Sequence, residues 1–263
     1  MSLNAAFIFG DVHGGARKLE ALIHLARTAA GGDVDLYSVG DLIDRGPDSK
    51  EVIKICLAEG VQGLMGNHEL WMYKYLTTGE FDGFALHGIM GGKETLTSYR
   101  VYPNDDPSEI ERSLISKMPD SHKEFFLRLP LSRVLEVAGR KYRLTHGGIP
   151  RRIGEHASTS FKDLAERSGV TPTPEEVSSN VLRLLERTQP QVFLWGGATK
   201  GDDVFAFPDE SYQVFGHTPW LGGAEISDAG RYIALDTGCG TCPPHRLSGV
   251  LLFPDGERKI LSI

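Results

Sequence analysis

Carboxylates, imidazoles and one amide recur in this sequence directly after short apolar runs. NAAFIF leads into GDVHGG, which offers Asp11 and His13. DLYSV leads into GDLIDRGP, with Asp41, Asp44 and Arg45. VQGLM leads into GNHE, with Asn67, His68 and Glu69, and two later runs end in THGG (His146) and GHTP (His217). No thiolate belongs to the set. Hard and borderline oxygen and nitrogen donors of this kind suit divalent Mn, Fe or Zn. Two such ions need one shared carboxylate; held ~3.5–4 Å apart, they activate a water and clamp phosphoryl oxygens for in-line displacement. Each motif alone is weak. GNHE by itself also reads as a helix start, with Asn as N-cap and Glu in the first turn. Five such motifs in order, each at an expected strand end, point to one shared site.

The elements that must carry these residues alternate. NAAFIF reads as a buried strand ended by Gly10, followed by a helix with Leu19, Leu22, Ile23, Ala26 and Ala30 on one face. DLYSV is a second strand. DSKEVIKICLAEG is a second helix, with Asp48 as N-cap and Gly60 just past its end. VQGLM is a third strand. Strand, polar loop and helix, repeated, is the pattern of an α/β sheet, whose site lies in the loops after the strands' carboxyl ends. Residues two apart on a strand point the same way, so Asp11 and His13 are expected to face one point. The stretch near 70–140 reads as a mainly helical insert. Beyond it, KYRLT, QVFL, YQVFG, RYIAL, LSGVLLF and RKILSI read as strands, the last two flanking the turn PDGE, with a helix near 175–187. No linker divides the chain, so residues 1–263 are read as a single domain.

The 263 residues suffice for a full core, and 40% hydrophobic with 24% charged residues is ordinary for a globular protein. A formal net charge of −7 argues against a general nucleic-acid or anionic-membrane binder, without excluding a local basic pocket. No apolar run approaches a membrane span, the N-terminus lacks a signal peptide's basic region, and three cysteines fit a reducing compartment. A cytoplasmic location is expected.

The motifs GDVHG, GDLIDRG, GNHE, THGG and GHTP resemble those of the phosphoprotein phosphatase family of binuclear metallophosphoesterases, over residues 10–217. GGKETLTSY (91–99) and LDTGCG (235–240) look like segments of the bacterial and phage serine/threonine phosphatases, which are related to symmetrical diadenosine tetraphosphatases. The resemblance implies the metallo-dependent phosphatase fold, an α/β architecture in which a central β-sandwich of mixed sheets is flanked by helices. It implies Asp11 and His13 as ligands of a first metal, Asp41 as the bridge, and Asn67, His146 and His217 at a second metal. His68 becomes the general acid, Asp44 the group that orients it, Arg45 a phosphate ligand, and a metal-bridging hydroxide the attacker. Glu69 is left to brace its helix.

One departure stands out. The family places a second phosphate-binding arginine shortly after an LW pair, whereas FLWGGATKGDD (193–203) has none. Lys200 is one substitute, and Arg151 in the RR pair after THGGIP is another. Trp195 and Trp220 flank the expected mouth. CGTC (239–242) reads as a structural thiol near the site rather than a zinc or redox pair. The expected activity is metal-dependent phosphomonoester hydrolysis on phosphoserine or phosphothreonine, with manganese favoured. Hydrolysis of a dinucleotide polyphosphate is the alternative. A silent binding module is disfavoured because the ligand set, His68, Asp44 and Arg45 are all present.

Overall fold

The computed structural model describes residues 5–102, 107–197, 203–241, 243 and 245–263. The first half alternates β1 (Ala5–Phe9), α1 (Ala16–Ala30), β2 (Val34–Ser38), α2 (Ser49–Ala58), β3 (Gln62–Gly63) and α3 (Asn67–Thr78). A 3₁₀ turn at Gly83–Leu86 and helices α4 (Gly92–Ser98), α5 (Pro107–Lys117) and α6 (Asp120–Leu127) follow. The second half holds β4 (Ser132–Val137), β5 (Arg140–Thr145), α7 (Arg151–Arg167), α8 (Pro174–Thr188), α9 (Gln191–Trp195), β6 (Tyr212–Phe215), β7 (Glu225–Ser227), β8 (Tyr232–Ala234), β9 (Ser248–Leu252) and β10 (Arg258–Ser262).

The strands form two five-stranded mixed sheets, ordered β10-β9-β1-β2-β3 and β4-β5-β6-β8-β7. Alternation along β1 shows how they stack. Ala6 and Ile8 share a core with Tyr142, Leu144, Val214 and Ile233 of the other sheet. Phe7 and Phe9 turn the opposite way, into a second core with Leu19, Leu22, Val52 and Ile53 of α1 and α2. A third core, with Val177, Val181 and Leu185 of α8 around Phe193, Phe205 and Phe207, involves α7, α8 and α9. Helices thus enclose the sandwich, as the α/β reading requires.

Three local expectations change. QVFL forms the short helix α9, not a strand. Pro190 caps it in helical conformation, and Val192, Phe193 and Leu194 are buried. Four apolar residues do not distinguish a buried helix from a strand. The helical stretch ends at Leu127, and β4 opposes β5 in register from Ser132 onward. Helix α7 was not anticipated, because its buried face holds only Gly154, Ala157 and Ser158. Asp48 does occupy the N-cap of α2, but its side chain makes no capping hydrogen bond.

Candidate functional site

Strand direction creates the site. β1 runs parallel to β2 and β2 to β3; in the other sheet β5 runs parallel to β6 and β6 to β8. The loops leaving the carboxyl ends of these six strands carry Asp11 and His13, then Asp41, Asp44 and Arg45, then Asn67 and His68, then His146, His217 and Asp236. Asp11 and His13 lie beyond the end of β1, in the turn, so strand alternation does not aim them. A left-handed backbone turns His13, and the same conformation recurs at Asp41, Asp44, Arg45 and His217, all five with φ between 45° and 70°. Non-glycine residues in this region are uncommon and cluster at functional sites.

Asp41 is the hub. Its Oδ2 lies 3.3 Å from His146 Nε2, 3.7 Å from His13 Nε2 and 3.8 Å from His68 Nε2. Asn67 Oδ1 lies 2.9 Å from both His146 Nε2 and His217 Nδ1. Two sets of ligand atoms therefore lie within 4.8 Å of one another, His13–Asp41–His68 and Asp41–His146–His217, with Asp41 common to both. Asp11 belongs to neither set; its carboxylate accepts from the His217 backbone N–H at 3.2 Å. Gly66 makes the approach possible, since a Cβ there would sit 2.1 Å from Asp41 Oδ1.

Backbone carbonyls orient the imidazoles. His13 Nδ1–H donates to Ile43 O and His146 Nδ1–H to Val39 O, both at 3.0 Å. Each ring's Nε2 lone pair is thereby turned toward Asp41, as a metal's outer shell of hydrogen bonds would require. His68 Nδ1–H donates to Asp44 Oδ2 at 2.9 Å, and its Nε2 is buried without a hydrogen-bond partner. Trp71 Nε1–H donates to the same Asp44 oxygen at 3.0 Å, and the Thr95 hydroxyl to the other at 2.7 Å. Trp71 thus helps to hold Asp44 in place.

The electrostatics call for positive charge. Burial raises the Asp11 carboxyl well above its usual range, reinforced by Asp236 and Asp41. Burial likewise raises Asp236 to about 6. Burial also opposes ionisation of Asp41, but the imidazoles of His146, His68 and His13 outweigh it and hold its carboxyl well below the usual range. Burial would lower His146, yet Asp41, Asp11 and Glu69 push it up to about 10. With Nδ1–H already donating to Val39, that extra proton would sit on Nε2, where a cation would otherwise discharge Asp41. Converging oxygen and imidazole donors and this uncompensated negative charge fit divalent metal ions.

Glu69 does more than start α3. Its carboxylate accepts from the backbone N–H groups of Asp41 and Leu42 at 2.8 Å, Gly66 at 2.9 Å and Ile43 at 3.3 Å, so it clamps the Asp41 turn onto α3. Asp236, buried and accepting from Gly238 N–H at 2.9 Å, lies near enough to Asp11 to raise its carboxyl, and no motif in the sequence singles it out. The available signal is its place directly after the apolar run YIAL, where Asp11 and Asp41 each follow theirs after one glycine.

A pocket of about 510 Å³ opens beside the cluster, with Arg45, Leu86, Ile89, Lys93, Glu94 and His217 among its lining. Arg45 Nη1 donates to His13 Nε2 at 2.5 Å. Arg151 does not reach this pocket; it is exposed at the start of α7 and pairs with Glu155. Lys200 and Cys242 lie outside the described residues. Cys239 is buried, its thiol donating to Val12 O at 3.2 Å, and burial raises it to about 11. Trp195 stays half exposed against the His217 ring, whereas Trp220 is buried and donates to Glu225. Among the described residues, no helix is long and apolar enough to cross a membrane.

The calcineurin-like phosphoesterase model matches residues 6–221. A symmetrical bis(5'-nucleosyl)-tetraphosphatase of Delftia acidovorans is 40% identical over 148 residues, covering 55% of this chain and 44% of that protein. An asymmetrical bis(5'-nucleosyl)-tetraphosphatase of Oceanobacillus iheyensis is 26% identical over 243 residues, covering 88% and 83%. The match thus spans under half the length of the Delftia relative. Among solved structures, a cold-active protein-tyrosine phosphatase of a psychrophilic Shewanella superposes with a TM-score of 0.54 at 18% identity, over 98% of this chain and 80% of that one. At that identity the likeness concerns the fold alone.

Proposed function

This chain belongs to the calcineurin-like phosphoesterase family, and on that premise we propose that it is a binuclear metal-dependent hydrolase of a nucleoside polyphosphate. The observation that carries the reaction class is the convergence of three imidazoles on one oxygen of Asp41, with Asn67 Oδ1 beside them. Asp11, His13 and Asp41 would hold one ion, and Asp41, Asn67, His146 and His217 the other. Two divalent ions there would supply an acidified water and polarise the phosphoryl oxygens. Manganese is the favoured occupant, and iron or zinc suits the same donors.

The chain's own residues do the remaining work. Arg45, in the pocket wall, binds phosphoryl oxygens through its guanidinium fork. His68 donates a proton to the departing oxygen from Nε2, the buried nitrogen without a partner. Asp44 holds the other proton of the ring, fixing its orientation. Glu69 keeps the Asp41 turn seated on α3.

The substrate class is supported by the pocket, whose lining pairs cationic Arg45 and Lys93 with apolar Leu86 and Ile89. That mixture suits a base joined to several phosphates, and a cavity of about 510 Å³ is within the range that holds such ligands. The Delftia relative, a bis(5'-nucleosyl)-tetraphosphatase, agrees with this reading. A phosphoserine or phosphothreonine peptide would need only the Arg45 end of this pocket. The test is a side-by-side rate comparison, on protein stripped of metal and reloaded with Mn, of diadenosine tetraphosphate against phosphoseryl and phosphothreonyl peptides. The expected result is a kcat/KM at least tenfold higher for the dinucleotide. The reverse order would overturn the substrate assignment and leave the reaction class standing.

A further inference from the structure

The chain lacks the arginine that its family's motif places after the LW pair. The structure points to another cation for that work. We propose that Lys93 receives the second phosphate of a polyphosphate substrate, extending the anion site that Arg45 begins. This rests on the nucleoside polyphosphate reading above.

Three observations carry it. First, Lys93 lines the same pocket as Arg45 and His217, and it forms no ion pair with a carboxylate among the described residues. Glu94 adds one negative charge to the wall, so the three ionic side chains leave it cationic on balance. Second, the loop before Lys93 is locked to Arg45. The Arg45 backbone N–H donates to Gly91 O at 2.9 Å and its Nε–H to Ile89 O at 3.3 Å. Gly91 has φ 72°, and a Cβ there would lie 2.7 Å from Arg45 N, so only glycine permits this approach. Third, α4 is pinned along its length. Thr95 Oγ1 lies 2.9 Å from Ser49 Oγ, Lys50 N–H donates to Ser98 Oγ at 3.1 Å, and Leu96 is fully buried. Lys93 therefore projects from a rigid element at a fixed place relative to Arg45.

Chemistry gives the two cations different tasks. A single phosphoryl group over the cluster is met by Arg45. Each further phosphate extends away from the cluster and adds negative charge, which a lysine meets as a flexible point charge without needing the planar geometry of a guanidinium.

AMP and ADP isolate this contact, because they differ by one phosphate. Their affinities for the Mn-loaded protein are measured by calorimetry for the wild type, Lys93→Met, Lys93→Arg and Glu94→Gln. The expected result is that Lys93→Met lowers the ratio of ADP to AMP affinity about tenfold, Lys93→Arg keeps most of it, and Glu94→Gln raises it. Thermal melting near that of the wild type is expected, since Lys93 is exposed. A ratio unchanged in Lys93→Met, or a wild type that binds ADP no tighter than AMP, would overturn the proposal. If the wild type fails to hydrolyse diadenosine tetraphosphate, the substrate reading falls, whereas a lowered ratio in Lys93→Met still upholds Lys93 as the second phosphate contact.

Discussion

The Nδ1–H of His68 donates to Asp44 Oδ2 at 2.9 Å, and this leaves the opposite nitrogen of the ring 3.8 Å from Asp41 Oδ2. One hydrogen bond thus separates two roles that proximity alone confuses. His68 lies close enough to His13 and Asp41 to serve as a metal ligand. Its buried, unpartnered Nε2 serves equally as a proton donor. The second role is the one proposed for it.

Replacing His68 with Asn is therefore expected to lower kcat by about 10²–10⁴, the usual contribution of a general acid. Metal content, measured by inductively coupled plasma mass spectrometry, should stay at the wild-type value. Loss of one metal equivalent would instead make His68 a ligand.

Asp44 is held by Trp71 and Thr95 as well as His68. Asp44→Asn puts an amide where three donors converge, and kcat should fall by roughly 10² while KM changes little. Trp71→Phe removes one donor to the same oxygen and should cost only severalfold. Equal losses in the two variants would mean that Trp71 acts by packing the site and not by placing Asp44.

Glu69→Gln should be damaging although Glu69 touches no candidate ligand atom. Four backbone N–H groups point at its carboxylate, and an amide nitrogen would face some of them donor to donor. Thermal or urea unfolding is expected to show a loss of about 2–4 kcal/mol, allowing for more than one buried group left unsatisfied. An unchanged melting point would contradict the clamp.

The strand that leads to His146 has its own anchor. Arg143, buried on β5, donates to Asp209 Oδ2 at 2.6 Å and Ser211 Oγ at 2.8 Å. Burial alone would raise the Asp209 carboxyl, but hydrogen bonds from Ser211 and Arg143 outweigh it and hold it well below the usual range. A depressed carboxyl contributes stability above its unfolded pKa of about 3.9 and loses it as pH falls through the folded value. Asp209→Asn should thus be less stable than the wild type at pH 7, with the gap narrowing only below about pH 4. A gap that closes between pH 5 and 7 would place the titration elsewhere.

How much of this was readable beforehand depends on whether a residue's work is local. Asp11, Asp41, Asn67, His146 and His217 could be located because each follows an apolar run, and six parallel strands bring such ends together. Glu69 was read as a helix brace because its true partners, the N–H groups of Asp41 to Ile43, lie 26 to 28 residues away. Asp236 follows an apolar run but carries no motif like those of Asp11 or Asp41, and its burial near Asp11 arises only when the two sheets stack. Nothing within GGKETLTSY marks Lys93 itself; its place in the pocket with Arg45 follows from a backbone hydrogen bond across 46 residues, Arg45 to Gly91. The same limit misassigned QVFL, where burial on all sides erases the periodicity that separates helix from strand.

The most direct test of the central claim is metal-dependent turnover. The protein is stripped with a chelator, reloaded with Mn, and assayed for bound metal and for hydrolysis of p-nitrophenyl phosphate. The stripped protein is expected to be inactive, and reloading to give about two ions per chain and restored turnover. A reloaded protein that holds no metal, or that hydrolyses nothing with Mn, Fe or Zn, would contradict the claim.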